Sequence, residues 1–198
     1  MSTNRQPDLP ERQVPQLPAL PRPLYARSES LTQQMSTARH CHTWVQLSYA
    51  IQGVLHVHTA AGRFVAPPQR AIWIPAGIEH EVNSSPNTEM RSLYLAAEAT
   101  ADAPRHCRVL EVNALTRELI RRFAELPVAY DEQGADGRLA SVLLDQLLTA
   151  RELGLSLPLP SDARLLQLCQ ALQAQPDDAC SLTHWGQRLG VSEKTLSR

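Results

Sequence analysis

The sequence is short of the features that several protein classes require. It has no run of about 18 apolar residues to span a bilayer, and its N-terminus is polar and proline-rich, without the apolar stretch of a secretory signal. The four cysteines, Cys41, Cys107, Cys169 and Cys180, are widely spaced and form no Cys-x-x-Cys pair. A disulfide framework is therefore not expected, and reduced thiols in a cytoplasm are the simplest reading. A formal net charge of −1 lacks the basic excess of a general polyanion binder, although it leaves room for a local DNA-binding face. Glycines number 8 against 15 prolines.

Those prolines punctuate the chain. Pro7, Pro10, Pro15, Pro18, Pro21 and Pro23 crowd residues 1 to 23 with little apolar content between them. A segment of that kind buries too little surface to offset its ordering entropy, so a disordered tail is expected there. Residues 24 to 110 carry strand signals. Leu47, Tyr49 and Ile51 alternate with Ser48, Ala50 and Gln52, as on a half-buried strand. Turn signals follow at Gln52-Gly53, Ala61-Gly62, Pro67-Pro68, Pro75 to Gly77 and Pro86-Asn87, with short apolar runs between them. That spacing predicts an all-β sandwich or barrel. Beyond residue 111 the period becomes helical. Leu115, Leu119, Ile120 and Phe123 mark one helix, and residues 139 to 153 a second that stops at Gly154. Residues 157 to 160 read as an extended connector. A third helix is expected from Ser161, as N-cap, to Gln175, with Leu165, Leu168, Cys169 and Leu172 on its buried face.

Chemistry concentrates first in histidine. Residues two apart on a strand share a face, so His40, His42 and Gln46 are expected to project together, and the turn before His80 can aim it back at them. Three imidazoles and an amide oxygen suit a divalent first-row transition metal (Zn, Ni, Mn or Fe) with room for water or an added ligand. The competing expectation is a polar pocket in which the same imidazoles hydrogen-bond an effector. Trp44 is placed as a pocket wall, Trp73 as core, and Arg91 as a residue for an anionic effector. His56, His58, His106 and His184 are expected to be structural.

The spacing resembles the two motifs of the cupin family. His40-Cys41-His42 is followed by three residues, Gln46, six residues and Gly53; later comes Pro75-Ala76-Gly77, two residues and His80. The resemblance implies a jelly-roll-like β-barrel with the site inside. Two positions depart from it: Gln46 stands where cupins usually have Glu, and Gln69 where the second motif usually has an upstream Gly. The lost carboxylate implies weaker metal affinity than in a catalytic cupin.

The last segment has its own grammar. Ser181 reads as an N-cap, Leu182, Trp185 and Leu189 as a buried stripe, Gly190 as a left-handed C-cap, and Ser192 as the cap of a new helix. Small Gly186 would let another helix approach. Helix, short turn with Gly, helix is the helix-turn-helix pattern. Residues 181 to 198 closely resemble the first helix-turn-helix of the arabinose-regulator (AraC) family, with Gly186 in place of its usual Ala. The resemblance implies a sensor barrel at 24–110, dimerisation helices at 111–156, and at 157–198 the N-terminal part of the DNA-binding domain, the chain stopping inside the recognition helix. Lys194, Thr195, Ser197 and Arg198 would then face operator DNA. The expectation is a cytoplasmic, homodimeric transcription regulator that answers to a small molecule or metal ion. A metal-dependent cupin enzyme of the oxygenase or isomerase type is the alternative, and a pure dimerisation module a third.

Overall fold

The computed structural model describes residues 10–14, 17–154, 156–158, 160, 162–174 and 179–196. Two compact units emerge, residues 9–157 forming one and the chain from residue 158 belonging to the other.

The first unit is built on two facing six-stranded sheets. One is ordered β1-β3-β8-β5-β6-β12, with β1 Glu11–Arg12, β3 Ser36–Thr37, β8 His80–Ser84, β5 Leu55–Thr59, β6 Gly62–Ala66 and β12 Ser156–Pro158. The other is ordered β11-β10-β7-β4-β9-β2, with β11 Glu152–Leu153, β10 Arg108–Glu111, β7 Arg70–Ile74, β4 Val45–Gln52, β9 Thr88–Leu95 and β2 Leu24–Leu31. Ala50, Leu55, Val57, Phe64, Ala66, Ile72, Ile74, Val82, Met90 and Val109 fill the space between the sheets. This is a cupin-like β-barrel.

Two helices cover the outer face of the second sheet. α1 (Ala114–Phe123) starts at Asn113, whose side chain accepts from the Thr116 amide, and buries Ile120 and Phe123. α2 (Ala135–Leu148) buries Ala140, Leu143 and Leu147. Both pack on Leu47, Tyr49, Trp73, Leu93 and Leu110. The second sheet is thus covered on both faces, which explains why β4 is buried on both sides through Ala50 rather than half-buried as its alternation implied. Ile51, expected inside with Leu47 and Tyr49, is 38% exposed because the register with β9 shifts between Ala50 and Gln52.

Two more expectations are corrected. The stretch 1–23 is not all tail: Glu11 and Arg12 pair in parallel with Ser36 and Thr37, and Arg12 forms an ion pair with Glu29 on β2. Proline reduces the freedom that such a segment loses on ordering, and a carboxylate inside the barrel mouth supplies the anchor. The second helix ends at Leu148, not 153, because Glu152 and Leu153 leave it to pair with Leu110 and Val109.

In the second unit α3 (Ala163–Ala174) follows Asp162, whose carboxylate accepts from the Arg164 amide; Ser161 lies outside the described residues. Leu165, Leu168 and Cys169 are half-buried and Leu172 is exposed. Further on come α4 (Leu182–Leu189) and the short α5 (Glu193–Leu196). Ser181 caps α4 through the His184 amide, and Gly190 ends it at φ +66°. Ser192 accepts from the Thr195 amide to start α5. Trp185 and Leu189 are buried, but Leu182, at the first helical position, has no preceding turn to lie over and is exposed. What comes close to Gly186 is the turn together with the first residue of α5: a Cβ there would stand 2.7 Å from the Val191 carbonyl oxygen and 3.5 Å from the Glu193 backbone nitrogen.

Candidate metal and effector site

The histidines converge, by a route other than the one expected. His40 and His42 lie ahead of β4 rather than on it. His40 instead makes an isolated antiparallel bridge to His80, with reciprocal backbone hydrogen bonds of 3.0 and 2.9 Å. His42 is tied in by the second motif's turn, where the Gly77 amide donates to the His42 carbonyl at 2.8 Å. Gly77 has φ +76°, a conformation in which a side chain is strained, so its glycine serves this bond directly. Ring centroids stand 4.3 Å (His40–His80), 5.0 Å (His42–His80) and 5.9 Å (His40–His42) apart.

Each ring is oriented by the same device. Nδ1 of His40 donates to the Ala38 carbonyl at 2.8 Å, that of His42 to the Trp44 carbonyl at 2.7 Å, and that of His80 to the Ile78 carbonyl at 2.8 Å. A carbonyl only accepts, so each Nδ1 carries a proton, and in the neutral form of such a ring the lone pair lies on Nε2. This is the outer hydrogen bonding that fixes the tautomer of a metal-ligating histidine. One ligand atom from each of the three residues can be chosen so that all lie within 4.8 Å of one another, a spread that small ring rotations close to metal–nitrogen bonds of ~2.1 Å. Burial holds the His80 imidazole down to a pKa of about 4 and lowers that of His42, so both are neutral near pH 7.

Two contacts test whether the site fits an ion. His80 is fully buried, and its Nε2 has no hydrogen-bond partner. Gln46 Oε1 lies 3.0 Å from His42 Nε2 while the Gln46 amide nitrogen donates to Ser48 Oγ at 2.9 Å. With the His42 proton on Nδ1, that 3.0 Å contact sets two lone pairs against each other. A cation shared by them, or a flip of the amide, relieves it. An orphaned lone pair and a facing pair of acceptors are what a cation site presents. The donors are imidazole and amide, suited to Zn, Ni, Mn or Fe.

His40 and His42 open on a cleft of about 920 Å³ lined also by Glu11, Gln13, Val14, Leu17, Pro18, Arg27, Ala38, Cys41, Thr43 and Trp44. The size suits a small organic ligand. Trp44 is the expected wall: it stacks on His42 at 5.2 Å and 7°, and Tyr94 meets both rings edge-on. Arg91 is not part of it. Cross-strand pairing sets Gln46 opposite Tyr94 and Tyr49 opposite Arg91, so Arg91 shares the helix-facing side of the sheet with Tyr49. The cleft's arginine is Arg27, two residues along β2 from Tyr25, which stacks on Tyr94. It pairs with Glu29 at 3.2 Å, and Arg12 shares that carboxylate. Arg12, Arg27 and Glu29 escaped the sequence reading, although Tyr25, Arg27 and Glu29 alternate as inward residues of a strand do.

The remaining histidines are elsewhere. His56 and His58 are half-buried on the outer face of the first sheet, where burial lowers both and brings His56 to a pKa of about 4. His106 Nε2 lies 3.5 Å from a Glu152 carboxylate oxygen, and His184 is exposed. In the second unit Lys194 and Thr195 are exposed on α5, with Thr195 Oγ1 2.8 Å from Ser192 Oγ; Ser197 and Arg198 lie outside the described residues.

The chain thus joins a cupin-like barrel that carries a histidine triad beside a ligand-sized cleft to a helix-turn-helix corner. The family pattern described as the AraC-like ligand binding domain matches residues 22–150, and the chain belongs to that family. It is similar to the HTH-type transcriptional regulator NimR of Escherichia coli (strain K12), 28% identical over 167 residues, which cover 84% of this chain and 61% of that protein. The chain thus spans about three fifths of that relative's length. The solved AraC-like transcriptional activator CuxR shares the fold with a TM-score of 0.53 at 13% identity, over 88% of this chain and 69% of that one. An apo ToxT variant from Vibrio cholerae does so with a TM-score of 0.51 at 5% identity, over 89% and 73%. Among the described residues no helix is long and apolar enough to cross a membrane.

Proposed function

We propose that the protein is a DNA-binding transcription regulator of the cytoplasm. Its barrel holds a divalent transition metal at His40, His42 and His80, with Gln46 as a neutral fourth donor, and presents it to a small-molecule effector in the cleft. The barrel, the helices at 111–156 and the region 157–198 serve as sensor, dimerisation surface and DNA reader. Lys194, Thr195, Ser197 and Arg198 supply contacts to operator DNA, and the working unit is a homodimer. The ion, when bound, acts as an electrophilic anchor for ligand atoms. The protein's own residues orient the three rings, keep those of His42 and His80 neutral, and stack Trp44 on His42. Regulation follows if the ligated barrel favours one arrangement of the DNA-binding regions over another.

The carrying observation is the clustering of the His40, His42 and His80 rings beside an effector-sized cleft, in the same chain as a capped α4–α5 corner. The similarity to a named regulator, NimR, supports this reading over a cupin enzyme, and Gln46 withholds the carboxylate that the catalytic relatives' motif supplies. The test is selection of DNA from a random pool by the full-length protein, repeated with added ion and with chelator. The expected result is an enriched sequence whose retention changes with the ion, and loss of that change in His80→Ala. Recovery of unenriched DNA under every condition overturns the regulator reading, and metal analysis showing equal ion content in wild type and His80→Ala overturns the site.

A further inference from the structure

The charge of the site says what it is built to receive. In the described residues the cluster of side chains within metal-binding reach of one another consists of His40, His42 and His80, with no carboxylate among them. Gln46, beside His42, is also neutral. A divalent ion held by four neutral donors keeps its full double charge in a setting where His80 is wholly buried and His42 is 9% exposed. Low polarity makes an uncompensated charge costly and strengthens its pull on a counter-charge. The cleft beside it is lined by the Arg27 guanidinium and the Trp44 ring, with one carboxylate, Glu11, exposed at its edge. Trp44, 7% exposed on the wall, has an indole N–H with no acceptor, and the guanidinium of Arg27 lines the same space. Glu29 is divided between Arg27 and Arg12, so one carboxylate answers two cations.

Building on the metal reading above, we propose that the cleft receives a small organic carboxylate. One carboxylate oxygen takes the open position of the ion at His40, His42 and His80, while Trp44 and Arg27 provide the second attachment. The missing motif carboxylate is then not a weakened catalytic site but the means by which the effector supplies its own negative charge. A second acidic group on the ligand meets Arg27, whose fork of N–H donors fits a carboxylate. Dicarboxylates are accordingly favoured over monocarboxylates of similar size.

Cobalt(II) serves as the probe, because its visible absorption bands report both its binding and any change in its ligands. The purified protein is loaded with Co(II) and titrated with acetate, succinate and glutarate, and in parallel with acetamide. Expected are Co(II) bands in the wild type, shifts with the carboxylates but not with neutral acetamide, and tighter binding of one dicarboxylate than of acetate by about tenfold or more. Arg27→Met removes that advantage, bringing the dicarboxylate down to the affinity of acetate. Trp44→Phe, which keeps the stack on His42 but lacks the N–H, weakens every carboxylate. Bands that no carboxylate perturbs at millimolar concentration overturn the inference while the metal reading stands; so does an equal response to acetamide, which needs no variant. Absence of protein-bound Co(II) bands removes the metal reading and the inference with it.

Discussion

At position 46 the difference between an amide and a carboxylate is one unit of charge placed 3.0 Å from His42 Nε2. Gln46→Glu supplies an ionised oxygen where two acceptors now face each other, so it is expected to tighten divalent-ion binding by roughly tenfold, about 1.4 kcal/mol. Competition against a chromophoric chelator measures this, and unchanged affinity would place Gln46 outside the coordination shell. Position 69 makes the same kind of point about the backbone. Gln69 has φ +65°, with its side chain exposed, where the second motif usually has glycine. The left-handed shape was retained although the residue that adopts it freely was not. Gln69→Gly is therefore expected to raise stability by about 0.5–1 kcal/mol in urea denaturation, since the left-handed strain of a side chain outweighs glycine's extra unfolded-state entropy. A destabilised variant would show that the Gln69 side chain stabilises the turn. The triad itself was readable because motif spacing survives without knowledge of strand boundaries; His40 and His42 need only precede β4. Arg91 was misread because its orientation depends on cross-strand parity. A one-residue change in register exchanges the faces, and no local signal around Arg91 reports which residue of β4 it meets.

Elements carry a different kind of information. The helical periods of α1 and α2 were legible, but which of their apolar residues are buried was not. Leu115 and Val142 remain 55% and 46% exposed, whereas Ile120, Phe123, Leu143 and Leu147 meet the sheet. A period finds a stripe; the partner surface decides its width. Leu143, fully buried between α2 and the sheet, is the place to test that interface: Leu143→Ala is expected to cost about 2–5 kcal/mol in chemical denaturation. A loss below one kilocalorie would mean that the helices are not part of the barrel's core. In the second unit the tight element is the α4–α5 corner. The Val191 amide donates to the Gly186 carbonyl at 3.0 Å, and the Val191 carbonyl leaves no room above Gly186 for a side chain. Alanine there gains about 1 kcal/mol of helix propensity but sets its Cβ 2.7 Å from that backbone oxygen, so the turn has to move to admit it. Gly186→Val has the clash and loses part of the propensity gain. Its expected signature is faster hydrogen exchange at Val191, and undiminished protection would mean that the corner yields without breaking.

The histidines act together on the stability of the whole molecule. His56 and His80 are held to a pKa of about 4 and His42 and His58 are also lowered, in each case chiefly by burial. Unfolded imidazoles titrate near 6.5. Between these values the unfolded chain binds more protons than the folded one, so stability rises with pH across that window and levels off above the unfolded value. For fully buried His80 the full effect is on the order of 3 kcal/mol. The exposed carboxylates lowered by arginine partners, Glu111, Glu118 and Asp162, act in a lower window: their contribution is present above the unfolded carboxylate range and fades as pH falls through their folded values. Urea denaturation at pH 5 and pH 7.5, with chelator present, is therefore expected to show the protein weaker at pH 5. His56→Phe, remote from the triad, should reduce the difference by its own share and leave the rest. Adding ion deepens the contrast, because only neutral imidazoles coordinate: the increment from the metal is large at pH 7.5 and shrinks toward pH 5. Equal stability at the two pH values without ion would mean that these rings are solvated in the folded state. An ion increment independent of pH would mean that the ion binds oxygen ligands somewhere other than the triad.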